Sequence, residues 1–208
     1  MTETTPILVV GTRNAGKCRE MARALEGLPL TVRPLSDFGP VPAAVENAET
    51  FEANAELKAV AYARAVGHWC VADDSGLEVA ALGGRPGVYS ARWGGADGDD
   101  AANNRRLLEE LRDVPPERRQ ARFVCAAAVA SPEDGVLLRA RGTCEGLILR
   151  EPRGRNGFGY DPLFFVPELG RTMAELPADE KLAVSHRGRA LRALRAEIEK
   201  LFHGRLPE

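Results

Sequence analysis

Ile7-Leu8-Val9-Val10-Gly11-Thr12-Arg13-Asn14-Ala15-Gly16-Lys17-Cys18 is the stretch from which the rest of the chain can be read. Ile7 to Val10 is a continuous β-branched and leucine run, the pattern of a strand covered on both faces, and Met21, Ala24 and Leu25 carry helical spacing from Lys17 to Leu25. Strand, glycine loop and helix form the frame of an anion-binding loop, because the amides and dipole of the helix start favour negative charge and Lys17 adds its own. Gly11 to Lys17 fills the phosphate-loop pattern G-x-x-x-x-G-K-[ST] except at its last place, where Cys18 stands for the hydroxyl. A thiol is a soft donor, whereas Mg²⁺ takes hard oxygen ligands. The loop can therefore hold phosphate but not the metal, or be an ordinary βα turn with Lys17 facing water; a Mg²⁺-nucleotide would need carboxylates elsewhere, for which Glu46 and Asp73-Asp74 are candidates.

Outward from this loop, a proline-rich passage from Pro34 to Pro42 leads to Thr50, the predicted cap of a helix through Phe51, Leu57, Tyr62 and Val66 that stops at Gly67. Trp69 to Ala72 reads as a buried strand that delivers Asp73-Asp74-Ser75-Gly76 at its C-terminal end, where open α/β sheets bind ligands. A helix is expected from about Asp99 to Leu111, ending before Pro115-Pro116. Strands at Arg122 to Ala130 and Val136 to Gly142 flank the turn Ser131-Pro132-Glu133-Asp134-Gly135, and Thr143 to Leu149 suggests a further strand. A glycine-rich loop, Arg153 to Tyr160, precedes a short strand at Leu163 to Val166. Arg187 to Phe202 is expected to be an amphipathic helix capped by Ser185.

The chain has 208 residues and 44% hydrophobic content, enough for a substantial core in one compact domain. With 28 Lys+Arg against 30 Asp+Glu it lacks the electrostatic footprint of a DNA- or RNA-binding protein. Phosphate recognition must then be local. Cys18, Cys70, Cys125 and Cys144 show no C-x-x-C spacing, which favours reduced thiols in a cytoplasmic protein, and His68, His186 and His203 show no ligand spacing. The N-terminus has no signal-peptide pattern, and the longest apolar run, Phe123 to Ala130, is too short to span a bilayer. A soluble protein without nucleic-acid or membrane partners is expected.

Adjacent carboxylates repel, and neither Asp73 nor Asp74 gains by burial unless a cation or donor compensates it, so the pair points to a charged site as readily as to a solvated turn. Ser75 lacks the G-x-S-x-G elbow of a serine nucleophile. Phe158 and Tyr160 lie among Gly157 and Gly159, where a ring can either fold into the core or stack on a planar base, the latter contributing about 1–3 kcal/mol. Lys181 and Ser185-His186-Arg187 bring cations to a helix start, against its dipole, so that either an anionic ligand relieves the cost or the segment is a solvated helix edge with His186 an ordinary surface histidine.

Taken in order, the segments Thr12 to Lys17, Thr50-Phe51 with Asn54-Ala55 and Lys58, Asp73 to Leu77, Gly83-Gly84 through Arg92, Phe158 to Asp161, and Lys181 with His186-Arg187 resemble the inosine triphosphate pyrophosphatase family. The resemblance spans nearly the whole chain; Arg13 replaces the family's usual glycine, and Asn47-Ala48-Glu49 is untypical after Glu46. It implies an α/β fold with a long mixed central sheet and flanking helices, a single bilobed domain over 1–208 whose two lobes enclose a nucleotide cleft, and a homodimer. The implied reaction is Mg²⁺-dependent hydrolysis of ITP, dITP and XTP to the monophosphate and pyrophosphate. By match, Thr12, Arg13, Asn14, Ala15, Gly16, Lys17, Ser75, Phe158, Gly159, Tyr160, Asp161, Lys181, His186 and Arg187 bind substrate. Asp74 matches the proton acceptor and Mg²⁺ ligand, with Glu46 as a second acidic ligand. Donors from the His186-Arg187 turn would pair with the 6-keto oxygen of hypoxanthine or xanthine and oppose the amino group of adenine. A phosphate-loop kinase or GTPase would instead release or transfer inorganic phosphate, and a non-catalytic nucleotide-binding module would bind ITP without turnover.

Overall fold

The computed structural model describes residues 5–203. Its sheet has seven strands in the order β2-β1-β3-β4-β5-β6-β7. Strand β1 (Ile7–Val10) lies between β2 (Thr31–Pro34) and β3 (Trp69–Val79) and is parallel to both, while β6 (Phe164–Val166) is antiparallel to β5 (Gly135–Ile148) and to β7 (Arg171–Thr172). The sheet is thus mixed, as expected, with parallel strands toward one edge and antiparallel ones toward the other.

Local chemistry sets most boundaries. Asn14 accepts from the Lys17 N–H at 2.9 Å and caps α1 (Ala15–Ala24). Thr50 accepts from the Ala53 N–H at 3.2 Å to open α2 (Phe51–Val66), and Gly67, at φ 70°, closes it in the left-handed conformation that glycine adopts without steric cost. Asp99 caps α3 (Asp100–Glu110), whose carbonyl end is bound by a buried arginine: Arg119 donates to Leu111 O at 2.6 Å and to Val114 O at 3.0 Å. In the 131–135 turn, Ser131 accepts from the Asp134 N–H at 2.8 Å and Gly135 takes φ 74°.

Several elements differ from the sequence reading. β3 runs on through Asp73 and Asp74 to Val79, so the acidic pair lies inside a strand. β5 is one strand to Ile148, joining the two segments expected after Gly135. β2 and the short helix α4 (Ala178–Val184) have no counterpart in the expectation, and Ser185 ends α4 as α5 (His186–His203) begins. No described helix is long and apolar enough to cross a membrane.

The chain divides into two compact units. Among the described residues the first comprises 5–74, 125–142 and 187–203, and its core gathers Leu8, Val10, Met21, Val71, Val129, Leu191 and Leu194. Residues 75–124 and 143–186 form the second, around Leu77, Leu107, Leu111, Phe123, Phe164 and Met173. Strand β4 (Gln120–Ser131), the long apolar run, contributes residues to each.

Candidate active site

In a strand, successive side chains point to opposite faces, so Asp73 and Asp74 meet different surroundings. Asp73 is fully buried. Its Oδ2 lies 3.2 Å from Lys17 Nζ of α1 and accepts from Arg187 Nε of α5 at 3.1 Å. Arg187 in turn donates through Nη1 to Glu20 Oε2 at 2.5 Å. Burial works against the guanidinium charge, but Asp73 and Glu20 outweigh it and hold Arg187 above its ordinary pKa. A buried charge persists only when paired in this way. At the basic start of α5, Arg187 is thus paired inside the protein with Asp73 and Glu20.

Asp74 faces helix α2. Its Oδ2 accepts from Asn54 Nδ2 at 3.1 Å, and its Oδ1 lies 3.7 Å from Lys58 Nζ, which donates to Glu46 Oε2 at 2.7 Å. Asn54 and Lys58 are one helical turn apart, hence on one face of α2. Asn54 also exchanges hydrogen bonds with the backbone of Ala48, at 2.9 and 3.2 Å, and so fixes the segment that carries Glu46. Burial, aided by Asp73 and Glu46, raises the Asp74 pKa against the pull of Lys58 and Lys17. Burial also opposes the Lys58 charge, but Asp73, Asp74 and Glu46 outweigh it and raise that pKa. Asp74 is thus a carboxylate with heightened proton affinity beside an ammonium that stays charged.

The donor set suits a hard cation. Two carboxylates, Glu46 and Asp74, share one ammonium, so positive charge already sits where they converge. Among the described residues no group of three His, Cys, Asp or Glu side chains could hold a metal. Mg²⁺ commonly takes one or two carboxylates and completes its shell with water and substrate phosphate, so Asp74 and Glu46 fit it as a partial site.

The glycine loop itself is tightly built. A Cβ at Gly11 would stand 2.5 Å from Cys70 Sγ, so only glycine allows this approach of β1 to its neighbours. Thr12 Oγ1 accepts from the Asn14 N–H at 3.2 Å, and Arg13 donates to the Val41 carbonyl. Ala15, Gly16 and Lys17 form the first turn of α1. A concavity of about 560 Å³ opens beside Thr12, Arg13, Ala15 and Cys18, with Leu35 and Ser36 across from them.

The second unit holds the other sequence-predicted residues. Asp161 Oδ2 accepts from the Phe158 N–H at 2.9 Å and from Lys181 Nζ at 2.5 Å. Lys181 Nζ stands 4.6 Å from the centroid of the Phe158 ring, within cation–π range. A Cβ at Gly157 would lie 2.0 Å from Asp161 Oδ2, so this turn too admits only glycine. Tyr160 is buried and donates to Ser90 O at 2.9 Å; burial and nearby Asp100 raise its pKa. His186 stacks on Phe123, ring centroids 4.7 Å apart. Ser75, next to Asp74 on β3, is half-buried.

Lys58 and Asn54 were legible as motif residues but not as partners of Asp74; the signal was a polar pair four apart on an otherwise apolar face, with Ala55, Ala59 and Tyr62. Glu20 gave no signal. Its role depends on Arg187, 167 residues away.

With this geometry in view, comparison with known proteins is informative. The Ham1 family pattern matches residues 8–197. A protein of Geobacter sulfurreducens named dITP/XTP pyrophosphatase is 55% identical over 191 residues, covering 92% of this chain and 96% of its own. One of the same name from Syntrophobacter fumaroxidans is 54% identical over 196 residues, covering 94% and 83%. The solved structure of a HAM1 protein from Coxiella burnetii superposes with a TM-score of 0.84 at 41% identity, covering 94% of this chain and 99% of that one. A match over most of the chain, relatives above half identity and a shared fold agree that the chain belongs to the Ham1 family.

Proposed function

We propose that this protein hydrolyses non-standard purine nucleoside triphosphates, dITP, XTP and ITP, to the monophosphate and pyrophosphate. The observation that carries the reading is Asp74, a buried carboxylate of raised pKa set between Asn54 and Lys58. The names of the relatives supply the substrate class.

Attack of water on the α-phosphorus forms one P–O bond and breaks the bond to the bridging oxygen, so pyrophosphate leaves and the water gives up a proton. Asp74 orients that water and takes the proton. Lys17, fixed by Asp73, offers its charge to the phosphates at the opening of α1. Lys58 holds Glu46 and Asp74 in register before substrate arrives. When bound by Asp74 and Glu46, Mg²⁺ would supply charge neutralisation on the phosphate oxygens. Phe158 supplies a stacking face for the base, with Lys181 and Asp161 as the polar groups beside it. A single functional domain, a homodimer and a cytoplasmic setting belong to the same reading: chain length supports the first, the family resemblance the second and the cysteine spacing the third.

Product analysis tests it. With Mg²⁺, XTP or dITP should give the monophosphate and pyrophosphate, with dATP and dGTP turned over far more slowly. Appearance of the diphosphate and inorganic phosphate would show a different bond to be cleaved.

A further inference from the structure

Gly159, between Phe158 and Tyr160, has both of its backbone polar groups taken by one helix. Asp100, the first residue of α3, accepts from the Gly159 N–H through Oδ2 at 2.7 Å. Asn104, one turn later on the same face, donates through Nδ2 to the Gly159 carbonyl at 2.8 Å and to the Asp100 carbonyl at 2.8 Å. Asn104 does this at a cost. Its Oδ1 is buried and has no hydrogen-bond partner among the described residues, and an unmade buried hydrogen bond is unfavourable. The side chain is thus placed for its donors.

A loop with Gly157 at φ 77° and Gly159 at φ 61° has wide conformational freedom in isolation, and freezing it during binding would subtract from affinity. The α3 clamp meets that cost in advance, at the residue that follows Phe158. On the far side of the same loop, Tyr160 is anchored to Ser90, which itself donates to Gly87 O at 2.6 Å and accepts from the Leu77 N–H at 2.8 Å. The Phe158 backbone is held by Asp161.

We propose that Asp100 and Asn104 are positioning residues for base recognition: they hold the Gly159 peptide so that the Phe158 ring is ready for a purine, and they take no part in the chemistry at phosphorus. This inference rests on the reading of the Phe158 loop as the base-binding segment.

The test uses the full-length protein with Asp100→Ala, Asp100→Asn, Asn104→Ala and Asn104→Asp, each checked for an intact fold by circular dichroism. Steady-state kinetics on XTP, dITP and dATP separate KM from kcat. Asp100→Ala and Asn104→Ala should raise KM for XTP by about tenfold with kcat within about twofold, the pattern of lost binding and not of lost transition-state contact. The XTP over dATP ratio of kcat/KM should narrow. Asp100→Asn keeps an oxygen that accepts from Gly159 and should restore KM, whereas Asn104→Asp loses the donor and should resemble the alanine variant. Exchange of the Gly159 amide should quicken in Asp100→Ala and not in Asp100→Asn. Unchanged KM and ratio in folded variants of a protein that does hydrolyse XTP overturn this inference alone, as does a fall in kcat without a change in KM. A wild-type protein that releases no pyrophosphate from XTP or dITP overturns the functional reading and this inference with it.

Discussion

Asp74 concentrates the conflict between stability and chemistry. Its folded-state pKa is raised by burial above the unfolded value of about 3.9. Between those two values the native state binds the proton more tightly than the unfolded state, so the cost of the buried charge is absent below the unfolded pKa and fully present above the folded one. Asp74→Asn should therefore raise the melting temperature at neutral pH and flatten its decline with rising pH, while kcat falls by about 10²-fold or more, the scale of general-base catalysis. The acid limb of the wild-type rate profile should lie above that of an ordinary aspartate. A variant that keeps activity within a few-fold and melts no higher would assign Asp74 to structure. Residues of this kind were half legible: two adjacent carboxylates signalled a charged site, but their partners Arg187 and Lys17 come from distant parts of the chain, and sequence carries no mark of such a pairing.

Helix α2 was read correctly from Thr50 to Gly67, because caps are local chemistry. β3 was cut short for the converse reason: Asp73-Asp74-Ser75-Gly76 reads as a turn until counter-charges arrive from α1, α2 and α5, and only those allow the strand to continue. β2 and α4 are too short, at 4 and 7 residues, to show a period. α2 aims Asn54 and Lys58 together at Asp74. Thr50→Ala should lower stability by about 1 kcal/mol through loss of the cap, read as a shift in denaturant midpoint with an unchanged m-value. An unshifted midpoint would show that the first turn of α2 is held by its packing alone.

Across the whole molecule, each unit has its own apolar core and the chain carries a formal net charge of −2. Most individual strands and helices follow from apolar runs and glycine stops visible in the sequence, and the mixed sheet is expected from the family resemblance; the division of the chain into units built from non-contiguous segments is not, since it depends on contacts. Among the described residues no group of three His, Cys, Asp or Glu side chains could hold a metal, and the carboxylates proposed to bind one are already compensated by Lys58. Treatment with EDTA should then stop pyrophosphate release from XTP while leaving the melting temperature within about a degree, a shift well under 1 kcal/mol for a chain of this size. A marked fall in melting temperature would make the ion structural.

Arg187 also places the site in the time course of protein synthesis. On the ribosome Lys17, Asp73 and Lys58 emerge long before α5 is translated, and until then Asp73 lacks the guanidinium that shares its buried charge with Lys17. Lys17, proposed to meet the phosphates, thus reaches its settled environment only when α5 has left the exit tunnel, so a nascent chain stalled short of residue 187 would carry every acidic residue of the site and lack the arginine that shares Asp73 with Lys17.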